Sequence, residues 1–340
     1  MLQNISPGAD TPIHIIGAGI AGTWQALMLA KAGYRVTIHE RGDATLMQSA
    51  SYRAGGMLAP FCEQEISEPL VTRLGQRALQ IWRRDYPQAQ FDGALVVAHP
   101  RDRSDFERFA RLTTGHQRID AERLASLEPD LAGRFPQALF FAGEGHVEPR
   151  RTLSDLHSAL AAMGARFKWN SAYPPESIED KDGLVIDCRG LQAREDLPQL
   201  RGVKGETLVV ETREIALSRH IRLLHPRWPL YIVPRAENRF LIGATTIESE
   251  DESVSVRSAM ELLTAAYAVH PAFAEARIVE IGAGLRPAFP DNLPRIAIKD
   301  RRISVNGLYR HGFLLAPALA ELTLDYLQNG SIDREVMQCS

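Results

Sequence analysis

Residues 12–40, PIHIIGAGIAGTWQALMLAKAGYRVTIHE, decide the fold of this chain. A short apolar strand runs into Gly17-Ala-Gly-Ile-Ala-Gly22, and residues 23–32 then carry apolar side chains at helical spacing. Gly33 ends that helix, and residues 34–39 indicate a second strand. This strand–turn–helix–strand order predicts a Rossmann-type βαβ unit in an α/β protein.

The glycine-rich turn has the features of a dinucleotide site. Gly17 allows a tight turn out of the strand, Gly19 lets the backbone approach a pyrophosphate, and Gly22 lets the helix pack close to the strand. The N-terminus of the helix offers free N–H groups and a positive dipole end to phosphates. The turn therefore predicts that a dinucleotide is bound here.

An acidic residue at the end of the second strand narrows the choice of nucleotide. Glu40 lies 18 residues after Gly22, where a carboxylate can accept hydrogen bonds from both ribose hydroxyls. An acid at this place disfavours a 2′-phosphate, so NADP is not expected. The spacing alone does not separate FAD from NAD.

The loop Ala50-Ser-Tyr-Arg-Ala-Gly-Gly-Met-Leu-Ala-Pro60 makes that separation. Ser51 can donate to a phosphate oxygen, while Gly55 and Gly56 let the backbone lie against a flat ring. Together with Glu40-Arg-Gly42, this loop resembles the D-amino-acid oxidase and sarcosine oxidase superfamily. More closely it resembles the glycine oxidase branch, whose members make dehydroglycine for the thiazole of thiamine.

The resemblance returns at three later places. Tyr231-Ile-Val-Pro-Arg235, followed by residues 240–245, looks like the hairpin of the family's substrate domain. Residues 284–294 are similar to its arginine-bearing segment. Residues 309–317 resemble its C-terminal flavin loop and the start of the helix that follows. The resemblance therefore implies non-covalently bound FAD and a fold like that of D-amino-acid oxidase, with a Rossmann-type FAD-binding domain and an antiparallel-sheet substrate domain.

The predicted cofactor-binding residues lie in the turn, the loop and the C-terminal segment. They are Gly17, Gly19, Ile20, Ala21, Gly22, Glu40, Arg41, Ala50, Ser51, Gly55, Gly56, Met57, Arg310, His311, Gly312, Phe313 and Leu314.

Three residues are predicted to act on the substrate. The resemblance places the family's carboxylate anchor at Arg286, and a guanidinium can bind a carboxylate bidentately. Tyr231 is a second donor to the same group, and Arg310 leads into the flavin loop. Two positions depart from the family: Pro229 stands where a hydrogen-bonding residue is usual, and Leu308 where glycine oxidases tend to have His.

The resemblance also implies the reaction. FAD would accept a hydride at N5 from Cα of a small amino acid, the imine would hydrolyse to an oxo acid and ammonia, and O₂ would be reduced to H₂O₂. Two alternatives stay open: a sarcosine-like oxidase or D-amino-acid dehydrogenase with another electron acceptor, and a flavin-binding protein that has lost catalysis. The choice of amine is also open.

The predicted domains are interleaved. Residues 1–80, 144–195 and 281–340 are assigned to the FAD-binding domain, and residues 81–143 and 196–280 to the substrate-binding domain. The shortened segment at residues 167–182 and the replacement of the family's small residue by Cys188 leave the adenine contacts open.

Several further elements are expected from periodicity. Helices are predicted over residues 66–82, 104–113 and 152–163, and strands over residues 93–97 and 184–187. His14 and His39, on the Rossmann strands, and His146 are interpreted as packing or loop residues.

The bulk composition limits the function classes. With 45 % hydrophobic and 24 % charged residues and a net charge of −3, the chain has no basic surplus for nucleic acid or anionic lipid. A local group of arginines is interpreted as solvated surface with one possible functional member: Arg222, Arg227, Arg235 and Arg239. No apolar run is long enough to span a membrane, and a homo-oligomer is expected only by family analogy.

Three scattered cysteines, Cys62, Cys188 and Cys339, lack metal-ligand spacing, so no metal is expected. An odd, sparse set of this kind is typical of reduced thiols. Together with a start that does not resemble a signal peptide, it predicts a cytoplasmic protein.

Overall fold

The computed structural model describes residues 11–173, 183–227 and 229–339. These form two compact units. The first comprises residues up to Ala54, Pro149–Val203 and Leu285 onward, and the second comprises Gly55–Glu148 and Lys204–Gly284. The N-terminal start and most of the shortened segment before residue 183 lie outside the described residues.

The first unit contains a seven-stranded sheet. Its strands, in spatial order, are β17 (Met337–Cys339), β15 (Arg295–Lys299), β16 (Arg302–Asn306), β9 (Leu184–Asp187), β1 (Ile13–Ile16), β2 (Val36–His39) and β8 (Arg166–Lys168). All its pairings are parallel except that of β15 with β16. The predicted strand over residues 184–187 is confirmed as β9.

Three helices belong to this unit: α1 (Ile20–Lys31), α5 (Pro149–Ala162) and α7 (Gly312–Asn329). Strands β1 and β2 are parallel, with Ile13 opposite Val36, and α1 connects them. The predicted Rossmann unit is therefore confirmed. Helix α1 is buried around much of its circumference, and its Trp24 is fully buried, which is expected of a helix that packs against both the sheet and other helices.

An eight-stranded sheet belongs to the second unit, except that its residues 201–203 and 285–288 belong to the first. Its strands, in spatial order, are β14 (Arg277–Ala288), β10 (Arg201–Glu211), β13 (Arg239–Gly243), β12 (Leu230–Arg235), β11 (His220–Leu224), β4 (Ala94–Ala98), β6 (Gln137–Phe141) and β5 (Gln117–Asp120). Most of the pairings are antiparallel, and β11 with β4 is parallel. The predicted α/β fold with an antiparallel substrate-domain sheet is confirmed.

The remaining elements of the second unit are one small sheet and four helices. They are β3 (Met57–Leu58) paired with β7 (Gly145–His146), and α2 (Pro69–Asp85), α3 (Arg103–Leu112), α4 (Ala121–Leu127) and α6 (Val256–Val269). The main apolar core of this unit contains residues of the sheet, of α4 and of α6, such as Ile232, Leu124 and Ala266.

The predicted helices exist, but three of their ends differ by three residues: α2 begins and ends later than predicted, with its last residue at Asp85 and not at residue 82, and α5 begins earlier. Helix α2 begins at Pro69, three residues later than predicted, because proline disfavours a helical conformation in the residue before it and is itself well suited to the first turn. For the same reason α5 begins at Pro149 and not at residue 152. Helix α3 and strand β4 lie within one residue of their predicted bounds.

The predicted domain boundaries and the two units do not coincide everywhere. Residues 55–80 were assigned to the FAD-binding domain, whereas they belong to the second unit. Which parts of each unit bind the cofactor and the substrate stays a prediction.

Among the helices of the described ranges, none is long and apolar enough to cross a membrane.

Candidate active site

The glycine-rich turn has the geometry that its sequence requires. Gly17 has φ +101°, a left-handed conformation that favours glycine, and a methyl group there would lie 2.6 Å from the carbonyl oxygen of Cys188. A methyl group on Gly22 would lie 1.9 Å from the carbonyl oxygen of Gly17. Both glycines are therefore needed to bring the ends of β1, β9 and α1 together.

Ser51 lies at the start of α1. The Ile20 N–H donates to its Oγ at 3.0 Å, and a methyl group on Gly19 would lie 3.2 Å from the same oxygen. Gly19 is the N-cap residue and has no side chain to cap the helix. The hydroxyl, the free backbone surface of Gly19 and the positive helix end thus converge where a pyrophosphate would bind.

Glu40 is held by the same turn. Its Oε2 accepts from the Ala18 N–H at 2.8 Å, and its Oε1 accepts from the Gly42 N–H at 3.0 Å. A carboxylate has about four acceptor positions, so two bonds leave capacity for the hydroxyls of a ribose. The neighbouring Arg41 and Ala50 are exposed, and their contribution to the site stays a prediction.

The C-terminal segment reaches the same place. A methyl group on Gly312, the first residue of α7, would lie 3.5 Å from Cγ2 of Ile20. The starts of α7 and α1 are therefore neighbours. Tyr309, in the turn before α7, has φ +50°, a conformation that a bulky residue rarely adopts and that is frequent at ligand sites.

The residues around this helix start differ in exposure. Arg310 and Gly312 are half-buried, whereas His311, Phe313 and Leu314 are buried. The N-cap side chain, His311, makes no hydrogen bond that caps α7. No side chain caps the start of α7, which lies beside the glycine-rich turn and carries the positive end of the helix dipole.

The first unit thus fits a dinucleotide such as FAD. Three elements that lie far apart in the sequence, the glycine-rich turn, Ser51 and the start of α7, meet around the N-terminus of α1. Of the two departures from the family pattern, Pro229 is exposed and Leu308 is buried.

In the second unit, Tyr231 is enclosed by glycines. A methyl group on Gly55 would lie 3.0 Å from its Cε2 atom, and one on Gly243 would lie 2.9 Å from its hydroxyl. Tyr231 is half-buried on β12, which pairs with β13 so that Tyr231 stands opposite Gly243. The two glycines leave just enough room for the ring, and this fixes where its hydroxyl points.

The structure does not bring all three predicted substrate residues into one described group. Arg286 is half-buried on β14 and belongs, with Arg310, to the first unit. Tyr231 belongs to the second unit, together with Gly55, Gly56 and Met57. That these residues meet one substrate and one flavin stays a prediction.

Two of the four arginines that were interpreted as solvated surface are not solvated. Arg222 donates to the Cys62 carbonyl oxygen at 2.8 Å, and Arg235 donates to the Gly55 carbonyl oxygen at 2.6 Å. The interpretation as solvated surface was wrong for these two arginines. Both stand on β-strands, and their side chains reach backbone carbonyl groups of the segment from Gly55 to Cys62. Arg227 is exposed, and Arg239 pairs with surface carboxylates.

Glu144 is a residue that the sequence reasoning missed. It is fully buried, and its Oε1 accepts from the N–H groups of Phe61 and Cys62 at 2.8 and 2.9 Å. Burial raises the pKa of Glu144 to about 7. Together with Arg222, Glu144 holds the turn that follows the Gly55–Pro60 loop. In the sequence, the only local indication of such a role is its position in a glycine-rich stretch.

Three of the histidines are buried and lie against other rings. His39 is buried, with its ring 4.4 Å from that of Tyr173, and His14 lies against it. His146 is also buried, beside His220, and burial lowers the pKa of His146 to about 2 and that of His220 to about 3. The interpretation of His39 and His146 as packing residues is confirmed.

The thiols of Cys62 and Cys188 are free and buried. Burial raises the pKa of both thiols well above the usual value, which disfavours the nucleophilic thiolate form. Among the described residues, no three His, Cys, Asp or Glu side chains form a group that could hold a metal ion.

The fold and the first unit define the class of protein: one with a Rossmann-type dinucleotide-binding unit. The chain matches the FAD dependent oxidoreductase family (DAO) over residues 13–326, and it belongs to that family. FAD is its cofactor, and the predicted enzyme class, an FAD-dependent amino-acid oxidoreductase, is confirmed.

Particular relatives are similar over nearly their whole length. The chain is 52 % identical to the putative thiamine biosynthesis oxidoreductase ThiO of Rhizobium etli, over 91 % of this chain and 94 % of that protein. It is 28 % identical to the glycine oxidase of Geobacillus kaustophilus, over 93 % and 92 % of the two chains. The crystal structure of glycine oxidase from that organism superposes with a TM-score of 0.78 at 25 % identity and covers 95 % of this chain and 96 % of its own. The predicted resemblance to the glycine oxidase branch is confirmed.

The buried Glu144 makes the stability of the protein depend on pH. Its pKa is raised in the folded state from 4.5 to about 7, so the folded protein binds this proton more tightly than the unfolded chain does. The protein therefore has its full stability below pH 4.5 and loses part of it as the pH rises through 7. Glu144→Gln keeps the carbonyl acceptor and removes the charge. The wild type should lose stability as the pH rises, whereas the variant should not. The free energy of unfolding of the variant, relative to that of the wild type, should therefore increase by about 3 kcal/mol from pH 4.5 to pH 9.

Urea unfolding of the apoprotein at a series of pH values measures this difference. Glu122→Gln, which removes an exposed carboxylate in the first turn of α4, controls for the loss of one negative charge. If Glu144→Gln and the wild type gave parallel curves of stability against pH, Glu144 would not titrate in this range.

Proposed function

We propose that this chain catalyses the FAD-dependent oxidative deamination of glycine or another small amino acid, with O₂ as electron acceptor and H₂O₂ as product, in the biosynthesis of the thiamine thiazole. The observation that carries the proposal is the 52 % identity, over 91 % of the chain, to a protein named for thiamine biosynthesis. Relatives named glycine oxidases, such as that of Geobacillus kaustophilus, support the substrate class.

The side chains of the site support amino-acid binding. Arg286 is the anchor for the substrate carboxylate, because its planar guanidinium can make two parallel hydrogen bonds to the two oxygens. The Tyr231 hydroxyl is a further donor to the same group, and its glycine-lined position restricts its direction. When bound, FAD supplies the hydride acceptor.

The start of α7 has a separate task. Its first N–H groups and the positive end of the helix stabilise negative charge near Gly312, and the half-buried Arg310 adds a positive charge beside them. This environment favours the more negative, reduced form of the cofactor. Non-covalent attachment of FAD, a cytoplasmic location and a homo-oligomer stay predictions.

The test uses the FAD-loaded protein and a panel of glycine, sarcosine and D-amino acids. Anaerobic addition of the preferred amine should bleach the visible absorbance of the flavin, and readmitted air should restore it with one H₂O₂ per amine. Bleaching without rapid reoxidation by air would replace the oxidase with a dehydrogenase. A flavin that no member of the panel bleaches would overturn the proposal and indicate a flavin-binding protein without this activity.

A further inference from the structure

Arg235 stands at the end of β12 and connects three segments of the second unit. Its Nη2 donates to the Gly55 carbonyl oxygen at 2.6 Å, and its Nη1 donates to the Val147 carbonyl oxygen at 3.1 Å. The Val147 N–H donates in turn to the Gly56 carbonyl oxygen at 2.8 Å. Both carbonyl groups of the Gly55-Gly56 pair are therefore bonded, one directly to Arg235 and one through the residue beside it.

The rigid geometry of the guanidinium matters here. Its donors lie in one plane at fixed angles, so the two carbonyl oxygens that it binds are held at a fixed separation. Met57, the next residue, pairs with His146 in the small β3–β7 sheet. The segment from Gly55 to Met57 is thus fixed by Arg235 at its start and by a short ladder at its end.

Arg235 and Tyr231 act on the same glycine. Side chains four positions apart on a strand point to the same face, and both are on β12. The Tyr231 ring lies close against Gly55, while Arg235 binds its carbonyl oxygen. If Gly55 moved, the Tyr231 ring would lose one of its two close backbone contacts. The remaining contact, with Gly243, would not fix the position of the ring alone.

The surroundings of Arg235 add to this interpretation. The nearby His146 and His220 are buried, and their four ring nitrogens make no hydrogen bond among the described residues. Burial is the main reason that the pKa of each imidazole is lowered, and the charge of Arg235 lowers both further. The guanidinium is therefore placed beside neutral rings and carbonyl oxygens, which is a different environment from that of a solvated surface arginine.

We infer that Arg235 is a positioning residue that fixes the Gly55–Met57 backbone and, through Gly55, the hydroxyl of Tyr231. The inference rests on the proposed function, which puts Tyr231 beside the substrate carboxylate, and on the family resemblance, which puts Gly55–Met57 beside the flavin ring. It assigns a role to an arginine that touches neither the substrate nor the cofactor in the proposed site.

The test compares Arg235→Gln and Arg235→Lys with the wild type, all loaded with FAD. Lysine keeps the charge but has no planar pair of donors, so both variants should behave alike. For the amine that the wild type oxidises, KM should rise about tenfold, the effect of weakening one hydrogen-bonded contact, while kcat changes much less. The visible absorption maxima of the bound flavin should shift as well.

Arg239→Gln is the matched control. Arg239 stands just across the same turn, at the start of β13, is 40 % exposed and pairs with Glu211 and Glu237, so KM and the flavin spectrum should not change. If Arg235 served only stability, its variants would melt at lower temperature yet keep the wild-type KM per bound flavin and the wild-type spectrum. That result would overturn the inference, as would full rescue by lysine.

The two proposals fail in different ways. If no amine bleaches the flavin of the wild type, the proposed function fails, whatever the variants do. The flavin spectra of Arg235→Gln and Arg239→Gln still decide the inference about the backbone, because they report on the bound cofactor and not on turnover.

Discussion

Replacing Arg286 with lysine should lower kcat/KM for α-amino acids about a hundredfold and leave FAD binding unchanged. A guanidinium binds both carboxylate oxygens in one plane, whereas an ammonium group is a point charge that cannot reproduce the paired contact. The loss of one charge-assisted hydrogen bond costs about 1.5–3 kcal/mol, which is about 10- to 150-fold in rate. Stopped-flow reduction of the flavin by glycine, followed over a range of concentrations, measures the effect on binding and on hydride transfer separately.

A matched control is available in the same unit. Arg295 binds Asp291 and stacks on Phe289, and Arg295→Lys should leave kcat/KM near the wild-type value. A second comparison uses an amine without a carboxylate, whose slow oxidation should not be reduced further by Arg286→Lys. If Arg286→Lys kept the wild-type kcat/KM for glycine, the carboxylate would be held by another residue.

The geometry of the glycine-rich turn could be predicted from the sequence because that part of the candidate site is local. Gly17, Gly22 and Glu40 belong to one βαβ unit, in which the spacing of the glycines and the length of the helix fix their relative positions. The structure adds that the Glu40 carboxylate bonds the turn itself, through Ala18. Ser51 could be placed beside them only through the family resemblance.

The residues that hold the Gly55 loop could not be predicted from local pattern. Arg235 and Gly55 are 180 positions apart, and Glu144 and Phe61 are 83 positions apart. Nothing in the spacing of either pair reveals such contacts, because they depend on how the eight-stranded sheet pairs its strands. An arginine on a strand end was therefore assigned to the surface, and a buried glutamate in a glycine-rich stretch was not considered.

Gly22→Ala should abolish FAD binding, although alanine is by itself the better helix former. In a helix interior, alanine is favoured over glycine by about 0.5–1 kcal/mol. Here the added methyl group would lie 1.9 Å from the carbonyl oxygen of Gly17 and 3.2 Å from Cγ2 of Ile15. The first of these atoms is backbone and cannot rotate away, so α1 must move off β1.

That displacement should have two measurable consequences. Overpacking of this kind costs about 3 kcal/mol or more in the free energy of unfolding, which outweighs the gain in helix propensity. It also moves the N-terminus of α1 away from Ser51, and with it the groups that face the pyrophosphate. Denaturant unfolding of the apoprotein and flavin fluorescence titration measure the two effects independently.

Gly143→Ala separates the contact from the mere loss of a glycine. A methyl group at Gly143 meets nothing within 4 Å, so this variant should keep the wild-type stability and FAD affinity. If Gly22→Ala were as stable as Gly143→Ala and bound FAD equally well, the close approach of α1 to β1 would not be what the third glycine of the turn provides. Loss of stability with retained FAD affinity would mean that the phosphate-facing groups move together with the helix, and that the turn Gly17–Gly19 alone positions the pyrophosphate.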